Sequence, residues 1–138
     1  MKFEHRITIK APAGKIFSLY EDVSAWVSWD PDVKSSSING KFETGVFGKL
    51  KPTSGPESKI LFSEVIADKS FRVCSNLPFC KMTFDHELFA IEQHTEVVHT
   101  VSFEGFLSPI FGRLIGRGIN KGLPKTLQGL KNAVESKS

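Results

Sequence analysis

Two histidines on neighbouring predicted strands are the clearest candidates for chemistry in this sequence. Alternate residues share a strand face, and the faces in question carry Met82, Phe84, His86, Leu88 and Ala90 on one strand and Val97, His99, Val101 and Phe103 on the next. Both faces are apolar apart from the histidines, so both are expected to face the core. A turn at Glu92-Gln93 would put His86 directly opposite His99. A register shifted by one residue pair would make them diagonal neighbours, still about 5 to 8 Å apart between Cβ atoms.

Two inward imidazoles beside an apolar interior could form hydrogen bonds with a ligand or act as general acid and base. The alternative is a pair of buried neutral histidines bonded to hydroxyl or backbone groups. The sequence shows no nucleophile-base-acid triad, no phosphate-binding glycine loop and no paired inward carboxylates. Cys74 and Cys80 are expected to be free thiols without enough neighbours for a zinc site. We therefore predict no cofactor and no metal.

The segment from Leu107 to Glu135 predicts one long amphipathic helix that must be gripped by the rest of the chain. Its apolar residues recur at steps of three and four, which puts them on a single stripe. They are Leu107, Ile110, Phe111, Leu114, Ile115, Ile119, Leu123, Leu127, Leu130 and Val134. Ser108-Pro109 resembles an N-cap followed by a first-turn proline, and Pro124 is expected to kink the axis.

Glycines are frequent in the first half of this helix. Gly118 and Gly122 fall on the predicted buried stripe. They could permit close backbone packing, or they could leave space for an interior cavity between the sheet and residues 111 to 123. The sequence leaves both interpretations open.

The preceding residues predict one strand, two short helices and six further strands. The predicted strands cover residues 3–11, 33–42, 46–51, 59–66, 70–75, 81–91 and 96–104, and the short helices lie near residues 16–20 and 24–28. Short turns join successive strands, which favours antiparallel pairing. The fold class is therefore α+β, with a curved antiparallel sheet wrapped around the terminal helix.

Composition and charge narrow the classes of function. The chain of 138 residues is expected to form a single domain spanning 1–138. Residues 107–138 hold six Lys/Arg and one Glu, whereas the remainder holds twelve Lys/Arg and fourteen Asp/Glu. We interpret the basic positions Arg113, Arg117, Lys121 and Lys125 as a solvated face, not a nucleic-acid or membrane contact. No hydrophobic leader is visible, so a cytoplasmic monomer or homodimer is expected.

Several motifs resemble one known superfamily over nearly the whole chain. The run Trp26-x-x-Trp29-Asp30-Pro31, the spacing Gly40-x-Phe42-x-x-Gly45-x-x-Gly48-x-Leu50 and the pairs Glu64-Val65 and Ser70-Phe71 are similar to the Bet v 1/START superfamily. The most similar branch is the small bacterial polyketide cyclase/dehydrase-like proteins. The resemblance implies a helix-grip fold with an elongated cavity. Members bind lipids, sterols, polyketides or other apolar molecules, and only some are enzymes.

The leading prediction is a protein that binds a small apolar or aromatic molecule in this cavity. The candidate ligand-binding residues are Trp26, Trp29, Met82, Phe84, His86, Leu88, Val97, His99, Val101, Phe103, Phe111, Leu114, Ile115, Gly118 and Gly122. The two tryptophans could gate the cavity or simply pack in the core. One alternative function is a cyclase, aromatase or dehydratase in which His86 or His99 transfers protons. Another is a peripheral lipid carrier, an interpretation that rests on the basic helix face alone.

Overall fold

The computed structural model describes residues 2–136. The elements in chain order are β1 Lys2–Ile9, α1 Ala13–Glu21, a 3₁₀ helix Val23–Ser28, β2 Val33–Ile38, β3 Phe47–Pro52, β4 Ser58–Ile66, β5 Ser70–Leu77, β6 Cys80–Ile91, β7 His94–Glu104, α2 Ser108–Leu114 and α3 Gly116–Glu135. The number and order of strands agree with the sequence prediction, and most boundaries move by one to four residues.

The seven strands form one antiparallel sheet in the order β1-β7-β6-β5-β4-β3-β2. Strands β2 to β7 follow one another as a meander, and the last strand, β7, pairs with the first strand, β1. Register shifts near Val33 and Phe62 interrupt the regular ladders of β2 and β4. Such irregularities bend a strand and help a sheet to curl around a helix. The helix-grip fold predicted from the sequence is confirmed.

The terminal helical segment differs from the predicted single helix. It is interrupted at Ile115, which separates α2 from α3. Pro124 lies inside α3, which continues to Glu135, and the kink expected at Pro124 stays a prediction. Gly112, Gly116 and Gly118 surround the interruption, and glycine is a poor helix former. The helix begins at Ser108 itself, and no side chain caps its first turn.

Buried residues form two clusters on the concave side of the sheet. The first contains eighteen buried and ten partly buried hydrophobic residues, including Ile9, Tyr20 and Leu130. The second has only four buried residues and seven partly buried ones. Its members are Cys80, Val101, Phe103 and Leu123, together with Phe3, Leu77, Met82, Phe84, Phe111, Ile115 and Ile119. We refer to these groups as the first and second core clusters.

Parts of the predicted apolar stripe are exposed. Leu114 keeps 75% of its surface and Ile110 keeps 53%. Gly118 is also exposed, and no heavy atom lies within 4 Å of the position that its Cβ would take. The stripe prediction is wrong for these three residues because α2 and the start of α3 cover the sheet with one helix face only. Arg113 and its basic neighbours are exposed as predicted. No helix among residues 2–136 is long and apolar enough to cross a bilayer.

Candidate functional site

The two candidate histidines meet where the central strands pair. His86 on β6 is the direct partner of His99 on β7, and Ile91 pairs with His94 across the turn. Of the two registers that the sequence left open, the structure has the one with a Glu92-Gln93 turn and directly opposed histidines. The two imidazole centroids lie 4.6 Å apart with ring planes at 73°. The rings therefore touch edge to face on the concave side of the sheet.

The environment of His86 fixes the position of its proton. Its Nδ1 lies 3.2 Å from the carbonyl oxygen of Phe71. A carbonyl oxygen can only accept a hydrogen bond, so Nδ1 carries the proton and Nε2 carries the lone pair. The imidazole also stacks on the Phe71 ring, with centroids 3.8 Å apart and planes within 5°. His86 is thus held in one tautomer and one ring orientation, with a basic nitrogen at Nε2.

His99 has a different environment from His86, because the side chain of Tyr20 on α1 contacts it. The hydroxyl of Tyr20 lies 2.8 Å from Nε2 of His99, and both residues are buried. Tyr20 also contacts the rings of Phe71 and Trp29, with centroid distances of 4.7 and 6.1 Å. A neutral imidazole nitrogen can accept from this hydroxyl or donate to it. Either arrangement holds His99 in place and ties it to α1.

Burial controls the protonation of all three groups. It lowers the pKa of His86 to about 4, because the charged form loses its hydration. Burial also lowers the pKa of His99, and the neighbouring His86 lowers it further. Burial raises the pKa of the Tyr20 hydroxyl, and the charge of Asp30 adds to that effect. At neutral pH the site therefore contains two neutral imidazoles and a protonated phenol.

The second core cluster continues this site along the sheet. Met82 pairs with Phe103 and Phe84 with Val101, and Phe111 and Ile115 pack against the same cluster from the helices. Both β6 side chains and both helical side chains keep part of their surface accessible. His86 also keeps accessible surface, although it lies deep enough for burial to dominate its pKa. The structure thus places partly accessible apolar side chains on the same sheet face as a neutral imidazole.

The predicted ligand-binding residues do not all come together. Met82, Phe84, Val101, Phe103, Phe111 and Ile115 belong to the second core cluster, and Trp26, Trp29, Leu88 and Val97 belong to the first. Trp26 is only 7% exposed and its indole N–H donates to the Tyr20 carbonyl oxygen, so it packs in the core and is not a gate. The Trp29 indole nitrogen is buried without a hydrogen-bond partner in the protein.

Gly122 does not face the space for which it was proposed. A Cβ at this position would collide with the carboxylate of Asp32. Thr126, one helical turn further along, donates a hydrogen bond of 2.9 Å to Asp30. These residues let the turn between the 3₁₀ helix and β2 lie close against α3. Of the two interpretations of the glycines, Gly122 therefore supports close packing.

Sequence reasoning missed three residues of the site. Tyr20 was recognised only as an apolar residue of a short helix, and Phe3 and Ile119 only as members of apolar patterns. Phe3 and Ile119 complete the second core cluster. A tyrosine at an inward position was the available signal, because a buried hydroxyl requires a hydrogen-bond partner. Its partner lies 79 residues away, beyond the reach of any local pattern.

The sequence predicts a cavity between the sheet and residues 111–123. The structure has the buried and partly buried side chains of the second core cluster there. An open groove of about 490 Å³ lies elsewhere, and residues 111–123 do not line it. It runs between the end of the 3₁₀ helix and α3, past Trp29, Asp30 and Lys125. Within residues 2–136, no three His, Cys, Asp or Glu side chains are grouped so that they could hold a metal ion.

A curled antiparallel sheet, a gripped terminal helix and an apolar interior between them define a helix-grip protein. The chain belongs to the family described as polyketide cyclase / dehydrase and lipid transport, whose model matches residues 1–135. This confirms the resemblance found in the sequence. A search of curated proteins found no match.

Solved structures share the fold at low sequence identity. A START superfamily protein from Mycobacterium smegmatis is 14% identical with a TM-score of 0.80, and 99% of each chain is covered. A protein from Mesorhizobium loti is 16% identical with a TM-score of 0.81, covering 100% of this chain and 99% of the other. The Zhui aromatase/cyclase from Streptomyces sp. R1128 is 15% identical with a TM-score of 0.77, covering 98% and 93%. Likeness at this identity shows the fold alone.

Proposed function

We propose that the protein binds a small apolar or aromatic molecule in the second core cluster, between β6–β7 and the α2–α3 segment. The observation that carries this proposal is the accessible apolar lining around Met82 and Phe84, next to the neutral imidazole of His86. Apolar walls with a few fixed polar groups are typical of small-molecule sites. The family description, which names both polyketide chemistry and lipid transport, supports the same class of ligand.

The polar side of the proposed site favours a ligand that carries a hydroxyl group. Nε2 of His86 is an acceptor, because Nδ1 already donates to Phe71. A phenol or enol hydroxyl donates to such an atom and brings a flat apolar ring to the lining. We therefore propose an aromatic or polycyclic phenol as the preferred ligand, taken up in the cytoplasm by a single domain spanning 1–138.

Ligand-induced thermal stabilisation tests this proposal. The purified protein is titrated with hydroxynaphthalenes, flavonoid phenols and fatty acids, and native mass spectrometry identifies anything that co-purifies. Met82→Trp should fill the lining and abolish the thermal shift without lowering the melting temperature by a similar amount. Gly118→Leu is the matched control, since Gly118 faces open space and its replacement should leave binding unchanged. If no compound shifts the melting temperature, or if both variants lose binding equally, the proposal fails.

The runner-up is an enzyme of the cyclase or dehydratase type, and the tautomer of His86 favours it. An unprotonated Nε2 beside an apolar lining could accept a proton from a substrate carbon or hydroxyl. For a binding protein, His86→Gln should weaken affinity by about 0.5 to 1.5 kcal/mol, the usual contribution of one neutral hydrogen bond. For an enzyme, the same variant should slow turnover by roughly 10² to 10⁴-fold while binding survives.

A further inference from the structure

Four large apolar side chains are exposed at the end of the molecule where the β5–β6 turn meets the β7–α2 connection. The exposed fractions are 77% for Phe79, 87% for Phe106, 53% for Ile110 and 75% for Leu114. We call these four residues the apical patch. Single exposed apolar residues are ordinary, but a group of large ones marks an interaction surface.

The two loops that carry the phenylalanines are joined to each other. The backbone N–H of Leu107 donates to the carbonyl oxygen of Phe79 over 3.0 Å. Gly105 approaches the same carbonyl so closely that a Cβ there would lie 2.7 Å from its oxygen. Phe79 and Phe106 therefore belong to one surface, held by backbone contacts.

Helix α2 adds the other two side chains. Ile110 and Leu114 are four residues apart, so they share a face of the helix. Phe111 and Ile115, each one residue further along the chain, point about 100° away and pack into the second core cluster. α2 thus has an apolar residue on both faces, one set facing the protein and the other facing outward.

The two segments that carry this patch have a positive net charge. Residues 77–82 and 104–121 together hold four Lys/Arg and one Glu, while the rest of the chain holds fourteen charges of each sign. These two segments therefore carry a net charge of +3, and residues 122–138 add a further +2 that the acidic remainder of the chain cancels. Arg113 and Arg117 are exposed, and Arg113 is adjacent to Leu114. A second copy docked symmetrically on this surface would bring like charges together, which disfavours a homodimer through it.

We propose that the apical patch docks the protein onto an anionic phospholipid bilayer. The four apolar side chains enter the interfacial layer, and Arg113 and Arg117 meet the lipid headgroups. Apolar residues flanked by cations are the combination that binds anionic membrane surfaces reversibly. This contact would place α2, which covers the second core cluster, at the membrane surface. The docking needs no ligand inside the protein and so stands apart from the proposed function.

Vesicle sedimentation tests the docking. The protein is mixed with vesicles of phosphatidylcholine containing phosphatidylglycerol, and with vesicles of phosphatidylcholine alone. Binding is expected only to the anionic vesicles and should weaken as salt is added. The double variant Ile110→Ser/Leu114→Ser should reduce the partition coefficient by about tenfold. Each of Arg113→Gln and Arg117→Gln should reduce it by about fivefold.

A matched control exists at the opposite end of the sheet. Phe89 and Ile91 are 48% and 57% exposed near the β6–β7 turn, so Phe89→Ser/Ile91→Ser removes similar surface elsewhere. This variant should bind vesicles like the wild type, and circular dichroism should show every variant folded. Absence of wild-type binding to anionic vesicles, or equal losses in patch and control variants, overturns the proposal. So does self-association that disappears in the patch variant without any vesicle binding.

Discussion

The two core clusters lie under the same helical segment but are packed differently. In the first, Leu127, Leu130 and Val134 of α3 are at most 1% exposed. In the second, Phe111, Ile115 and Ile119 are only half-buried. One half of the helix–sheet interface therefore resembles an ordinary protein interior, and the other keeps accessible apolar surface. The tightly packed core therefore lies under the second half of α3, and the accessible apolar surface, where we propose that a ligand binds, lies under α2 and the start of α3.

The difference has a structural cause. The first cluster receives a third layer, because α1 and the 3₁₀ helix supply Phe17, Tyr20 and Trp26. Tyr20 packs edge to face with Phe71 and Trp26 packs edge to face with Phe62. Phe17 packs edge to face with Tyr20 and Phe42. Aromatic side chains fill large volumes, and such pairs add to the stabilisation from burial. The second cluster is covered by α2 and the start of α3 alone. It therefore lacks the side chains that would close it.

Truncation of a fully buried aliphatic residue gives the largest single effect expected. Leu130→Ala removes a side chain that is 0% exposed and should lower the free energy of unfolding by about 3 kcal/mol. Ile119→Ala removes a half-buried side chain from the second cluster and should cost about 1 kcal/mol, because less area returns to water. Urea unfolding measures both. Equal losses would show that the two halves are packed alike.

Alanine substitutions at two glycines of α3 are expected to change the free energy of unfolding in opposite directions. A Cβ at Gly129 would collide with the backbone carbonyl oxygen of Trp29, which cannot swing away. Gly129→Ala should therefore destabilise the protein by about 2 kcal/mol. Gly118 has no heavy atom within 4 Å of the same position, so Gly118→Ala should stabilise by up to about 1 kcal/mol through helix propensity. A stabilising Gly129→Ala would contradict the close approach of the 3₁₀ turn to α3.

The sequence predicted the sheet and its histidine pair because both follow from local patterns. Alternation assigns the faces of β6 and β7, and the short turn at Glu92-Gln93 then fixes the register that puts His86 opposite His99. Helical periodicity correctly indicated which side of α3 is apolar. It could not show that nothing lies opposite Ile110 and Leu114, because coverage depends on where the sheet ends.

The contacts that shape the site are long-range and were not predictable in the same way. The Tyr20 hydroxyl contacts His99 within the first core cluster, and the backbone carbonyl of Trp29 lies close to Gly129. Neither residue stands out in its local pattern. A glycine that permits close approach looks the same in sequence as one that faces open space, as Gly118 does. Only the tertiary arrangement separates them.

The pH dependence of stability gives the smallest effect, a change in unfolding free energy per pH unit. It tests where the boundary between the two clusters lies. The folded-state pKa of His86 is about 4, below its ordinary value of 6.5, because burial disfavours the charged form. The unfolded chain therefore binds more protons than the folded protein as the pH falls below 6.5. Stability should be fully present above that pH and should decline toward pH 4. One such group contributes a slope of at most about 1.4 kcal/mol per pH unit.

His86→Gln should remove this contribution, so its unfolding free energy should change less than that of the wild type between pH 6.5 and 5. Groups that do not interact with His86 cancel in the comparison, whereas His99 adds to the difference, because removal of His86 relieves one of the two causes that lower its pKa. His94→Gln is the matched control, because it replaces an exposed histidine at the start of β7, outside both core clusters, and leaves His86 in place. If His86→Gln keeps the full slope, His86 is hydrated enough to accept a proton in the folded state. The second cluster would then extend as accessible space to the histidine pair, and the boundary with the first cluster would move toward Tyr20.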